Sequence, residues 1–272
     1  MSRSNPTDNS PNPSERWMEW KGKDGHLEFY DKAKKEAVNV PLPFTFILLD
    51  RTATVRGYNN RLKSGIYSNE VRDTRSDRFV VKLFAGGIMA EGVWADIKDK
   101  VTARSAGGVF AINNYIAFKH GNEIKLGAIQ MSGCSLSPWF DFEKEHRAPV
   151  EDPSNPGKTI QELFARAVVM TRGTPNTSGD VPFVPPAFAL TDIKPDTNAK
   201  AIELDRRLQQ YLEGYFKRTK IQQVETPGET PAAHRHPSAV PESPEEVCPT
   251  CHQKMPADGS PCPACEGDSV PF

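Results

Sequence analysis

Four of the five cysteines arrive as two knuckles, Cys248-x2-Cys251 and Cys262-x2-Cys265, with ten residues between them. Two pairs of thiolates at this spacing can close a tetrahedral site, so the expected cofactor is Zn2+ held by Cys248, Cys251, Cys262 and Cys265. In a reducing compartment the same residues are not expected to form disulfides. His252, His234 and His236 read as solvated, and Cys134 as a small apolar residue in a strand.

A second set of residues is spread over a longer stretch. Between Asp50 and Lys82 stand eight basic residues (Arg51, Arg56, Arg61, Lys63, Arg72, Arg75, Arg78, Lys82) against four acidic ones (Asp50, Glu70, Asp73, Asp77). Tyr58, Tyr67, Phe79 and Phe84 are interleaved with them. Further on, period-two alternation places Asn113, Tyr115 and Lys119 on one strand face and Ile112, Ile116 and Phe118 on the other. A strand face that carries cations and aromatic rings can stack bases and track phosphates. The candidate DNA contacts are therefore Arg56, Tyr58, Arg61, Lys63, Tyr67, Arg72, Arg75, Lys82, Phe84, Asn113, Tyr115 and Lys119. The chain's net charge of -1 conceals this polarity. Residues 221–272 hold eight acids against Arg235 and Lys254 alone.

The elements that would carry these residues are mostly strands. Residues 1–15 are polar and proline-rich and read as a disordered tail. RWMEWKGKDGHLEFY reads as a hairpin around Asp24-Gly25. PFTFILLDRTATVRGY, GIYSNEV and DRFVVKLF read as three strands, and GVWADIKDKVTAR as a short amphipathic helix with Val93, Ile97 and Val101 on one stripe. GGVFAINNYIAFKHGNEIKLGAIQM then reads as two strands around Gly121-Asn122. Three strands, a helix and two strands is the element order of an OB-fold, so the expected class is mainly β, an OB-fold-like Greek-key β-barrel with elaborations over residues 16–196. RAVVMT and PFVPPAFAL are read as edge strands attached to it. One long helix follows at 197–220, with Leu204, Leu208, Tyr211, Leu212 and Tyr215 on a stripe and Glu203 paired to Arg207. Residues 221–246 read as a disordered Pro/Glu-rich linker, 247–266 as a zinc-ribbon-like knuckle pair, and 267–272 as a terminal tip.

That tip, Asp268-Ser269-Val270-Pro271-Phe272, resembles the bacterial and phage single-stranded DNA-binding proteins, whose acidic tails end in an aliphatic residue, Pro and Phe. SGIYSNEVRDTRSDRFVVKLF and NNYIAF look like phage-encoded members of that kind. The resemblance implies an OB-fold that coats single-stranded DNA in replication, recombination and repair. It also implies that Asp268, Val270, Pro271 and Phe272 dock on replication or repair proteins. The ribbon between linker and tip departs from the usual bacterial pattern. The alternative is a zinc-ribbon adaptor or regulator that binds protein or duplex DNA.

Other classes are disfavoured. The sequence has no phosphate-cradling glycine loop, HExxH motif or nucleophile elbow, so no enzymatic activity is expected. Asp96 and Asp99 read as a solvated helix face, and Glu143, Glu145 and His146 as a charged strand end. No run of 18 apolar residues or secretory leader occurs, which makes the expected location cytoplasmic, without membrane contact. A homo-oligomer is left open, because the barrel and the helix could each pair protomers.

Overall fold

A computed structural model describes residues 11–152 and 157–225, with side chains described as far as Thr219. The hairpin expected at the N-terminus is β1 (Arg16–Lys21) and β2 (His26–Asp31), closed by Gly25 at φ 66°, and β3 (Glu36–Val40) extends it. The long apolar run is β4 (Phe44–Asn59), followed by β5 (Ser64–Ser68) and β6 (Phe79–Leu83). β7 (Ile88–Gly92) returns along β6 across Gly86-Gly87. The amphipathic helix is α1 (Trp94–Thr102), which buries Ile97 and Val101 while Val93 forms its N-cap. β8 (Gly108–His120) and β9 (Glu123–Ser132) are joined by the two residues Gly121-Asn122, with Gly121 at φ 62° as such a tight hairpin requires.

The chain then makes a 3-10 turn (Gly133–Ser135), α2 (Leu136–Glu145), a small hairpin of β10 (Pro149–Glu151) and β11 (Thr159–Gln161), and the short α3 (Glu162–Ala165). β12 (Ala167–Arg172) follows, then the hairpin β13 (Asn176–Ser178) and β14 (Val181–Phe183), then β15 (Pro186–Thr191). α4 (Pro195–Glu225) comes last. It overruns the expected helix at both ends, so the linker read from 221 begins inside it, and Glu203 pairs with Lys200 rather than Arg207.

The fold is mainly β. Among the described residues eleven strands form one sheet, whose path runs β3-β2-β1-β9-β8-β4-β5-β6-β7, with β12 added to β4 and β15 to β12. The expected barrel does not close. Closure would pair β6 with β9, and both edges are taken: β7 lies along β6, and β1 runs parallel to β9.

One face of the sheet buries Met18, Phe46, Ile116 and Ile129 against Trp139 and Phe142 of α2. Farther along the same face Val55, Ile66 and Val81 pack on Ile97 and Val101 of α1. The opposite face is covered in part by α4, whose Leu204, Leu208 and Leu212 sit on Ile47, Tyr115, Ala117 and Ala128. The rest of that face is open. No helix of the described residues is long and apolar enough to cross a membrane.

Three readings are corrected by position. Pro11–Glu15 were assigned to the tail, yet the Glu15 N–H donates to the Leu126 carbonyl and Asn12 donates to the Tyr115 hydroxyl. Glu143, Glu145 and His146 were read as a strand end. They lie at the C-terminal end of helix α2, where Glu143 is buried and accepts from Arg51, and His146 Nδ1 lies 2.9 Å from Glu162. Cys134 belongs to the 3-10 turn rather than a strand and is partly buried against the core. Residues 1–10, the remainder of the linker, the four knuckle cysteines and the tip lie outside the described residues.

Candidate nucleic-acid interface

The open part of the sheet is set by strand register. Val109, Arg56, Tyr67, Lys82 and Ile88 stand in one row across β8, β4, β5, β6 and β7. Tyr58 stands beside Gly65 in the next row, and the Phe84 N–H donates to the Gly65 carbonyl. Phe84 folds over Gly65 and stacks on Tyr67, ring centroids 4.8 Å apart at 22°. A methyl group at residue 65 would collide with the Phe84 ring, so glycine is what lets this ring lie flat on the sheet. Phe84 is 74% exposed, Tyr58 51% and Tyr67 40%. Aromatic side chains normally drive burial, so three of them left in water on one strand face mark a contact surface.

Cations border this strip. Arg61 and Lys63 are exposed in the turn between β4 and β5, and Lys82 is exposed in the row itself. The loop after α1 is tied to the same end, since the Tyr58 N–H donates to Gly107 O and Asn59 Nδ2 to Ala106 O. That brings exposed Arg104 alongside, a residue the sequence reading did not include. Its isolation between Ala103 and Ser105 gives no signal without the turn that docks there.

The other predicted contacts divide. Arg56 lies in the row, but its guanidinium donates to Glu19, Gln130 and Ser132. Burial works to raise the Glu19 carboxyl, and Arg56 with Lys21 outweighs it, holding the group below its ordinary value. Arg72 is committed to Asp50 and Gln209 beside α4, and Arg75 is exposed on the loop after it. Lys119 lies at the opposite end of β8 from Val109, about 33 Å away at 3.3 Å per residue. Asn113 and Tyr115 do share a face as read, but α4 covers it. They are 2% and 0% exposed, which removes them from any strand contact. The sequence shows the alternation; it does not show that another element will take the polar side.

Comparison with known proteins finds no family model, no curated protein and no solved structure that matches this chain. The physical case for the interface therefore rests on the residues themselves.

Beneath α4 lies a buried carboxyl, Glu70. It accepts from Thr52 and from the Tyr115 hydroxyl, and its own N–H donates to the Tyr215 hydroxyl of α4. Burial raises its pKa above the ordinary 4.5, with Asp50 adding to the rise. Tyr215 is likewise pushed up to about 12 by burial. A carboxyl whose pKa is raised on folding adds stability as pH falls towards 4.5, because the folded chain holds that proton more tightly. Glu70→Gln should therefore raise the unfolding midpoint at neutral pH, and this advantage should shrink as pH approaches 4.5. Thermal melts of both forms across that range check it; a pH-independent difference would rule out ionisation of Glu70 as the cause.

Proposed function

We propose that the protein is a non-enzymatic single-stranded DNA-binding protein that coats the strand during replication and recombination. The observation that carries this reading is the exposed Tyr58, Tyr67 and Phe84 strip bordered by Arg61, Lys63, Lys82 and Arg104. Unpaired bases can lie on such rings, whereas a duplex keeps its bases stacked inside and offers only phosphates. The pairing order β6-β5-β4-β8-β9, with α1 between its third and fourth strands in sequence, supports relating this part of the sheet to an opened OB-fold. At low salt, filter binding should retain oligo-dT far better than the same strand annealed to oligo-dA; equal retention would rule the reading out.

The tail completes the proposal. Cys248, Cys251, Cys262 and Cys265 would hold one Zn2+, and Asp268, Val270, Pro271 and Phe272 would recruit replication or repair proteins, the terminal carboxylate being suited to bidentate capture by arginine. Two outcomes are expected. Metal analysis of the purified chain should find one zinc per protomer, lost in Cys251→Ser. Removing Pro271 and Phe272 should abolish pull-down of partner enzymes and leave strand binding intact or slightly tighter. If the chain were instead a zinc-ribbon adaptor, the segment from Cys248 to Cys265 would retain the main binding activity after removal of residues 1–225.

A further inference from the structure

The sheet has a gap. β12 pairs with β4 only over Phe44–Ile47, and β5 only over Arg56–Asn59, with a single bridge from Ala53 to Val71 between them. From Leu48 to Thr52, β4 therefore has β8 on one side and no strand on the other, and its register slips there in a bulge between Leu48 and Asp50. Bulges of this kind re-aim side chains and interrupt pairing. A cleft of about 410 Å³ opens at the gap.

Its walls are polar but balanced. Arg51 donates to Glu143, and Arg72 to Asp50, so each cation in the cleft already has its anion. Gln209, which donates to Asp50, and Gln161 add groups that can both donate and accept. Leu48, Leu163 and Phe164 supply apolar surface. Trp139, also in the wall, is fully buried, and its indole N–H has no acceptor. An unsatisfied buried donor carries a desolvation cost that native structures rarely leave standing, and a bound acceptor would remove it.

We propose that this cleft is a pocket for a nucleobase. A base is neutral, planar and apolar on its faces, with donors and acceptors alternating along its edge, and those are the properties the walls complement. A free anion gains little where both arginines are already paired. An extended peptide does not fit either, because β12 and the Val71 bridge block the open edge at both ends. The proposal extends the reading above, since a coated strand would supply the base, and the site is separate from the aromatic strip.

Saturation-transfer NMR on the full-length chain with free deoxyadenosine or thymidine tests it, with methyl glucoside as the competing neutral ligand. Transfer to the base protons is expected, unchanged between low and high salt because the cleft is neutral, and unchanged in Tyr67→Ala/Phe84→Ala. Trp139→Phe, which removes the N–H and keeps the ring system's bulk in part, should weaken it about fivefold, the worth of one hydrogen bond. Gln161→Ala, at an exposed position, should weaken it similarly and serves if the tryptophan variant does not fold. Any of three results would overturn the assignment: no transfer from either nucleoside, loss in the strip variant, or glucoside bound in their place. Retention in both cleft variants would do so too. Nucleoside binding without oligo-dT binding would uphold the pocket and defeat the coating function, so the two can fail separately.

Discussion

Replacing Tyr67 and Phe84 together by alanine should weaken oligo-dT binding by at least about tenfold, because stacking one base on an aromatic ring contributes about 1–3 kcal/mol. The two rings lie against each other, so they act as one platform and their separate losses will not simply add. Both are exposed, and neither belongs to the buried clusters, so the unfolding midpoint should hardly move. That separation makes the variant informative: lost affinity with unchanged stability places the strand on this strip. Affinity within twofold of the unaltered chain, measured by fluorescence anisotropy, would remove the strip from the account.

Leu208→Ala should lower the unfolding free energy by about 2–5 kcal/mol, the usual cost of truncating a fully buried leucine. Leu208 is in the middle of the docked part of α4, between Leu204 and Leu212, and all three rest on the sheet face that holds Tyr115. The helix has further ties there, the Tyr215 hydroxyl to the Glu70 N–H and Gln209 to Asp50, so the variant should remain folded with a weakened seam. Strand affinity should be unchanged, because the covered face is not the binding face. Chemical denaturation and anisotropy on the same sample check both halves. A marked gain in affinity would mean that α4 hides part of the binding surface, and would restore Asn113 and Tyr115 as contacts.

Much of the sheet was readable because its strands announce themselves locally. β-branched runs, the Gly121-Asn122 hairpin and the Ile97 to Val101 stripe each carry their own signal. Helix α2 did not, since Pro138 stands in its first turn and Trp139, Phe142 and Glu143 read equally well as the end of a strand-rich region. β3 and β7 are five residues each, too short for periodicity to speak. Barrel closure depends on which strand reaches an edge first, a long-range competition that β1 and β7 win and that no local pattern encodes. For the site, the basic and aromatic residue types were legible, but their grouping was not. Tyr58, Lys82 and Phe84 are adjacent only through register, Arg104 only through a loop contact, and Arg56 is occupied by Glu19 from a strand 37 residues away.

The central claim is that an aromatic strip with unpaired cations around it binds unpaired bases. Its most direct test is anisotropy of labelled single-stranded DNA, RNA and duplex DNA of equal length, titrated with the intact chain over a series of salt concentrations. The account predicts tight single-strand binding whose log affinity falls linearly with log salt, by about 0.7 per neutralised phosphate, with duplex much weaker at every salt. Equal affinity for duplex and single strand, or no binding to the single strand at low salt, would contradict it.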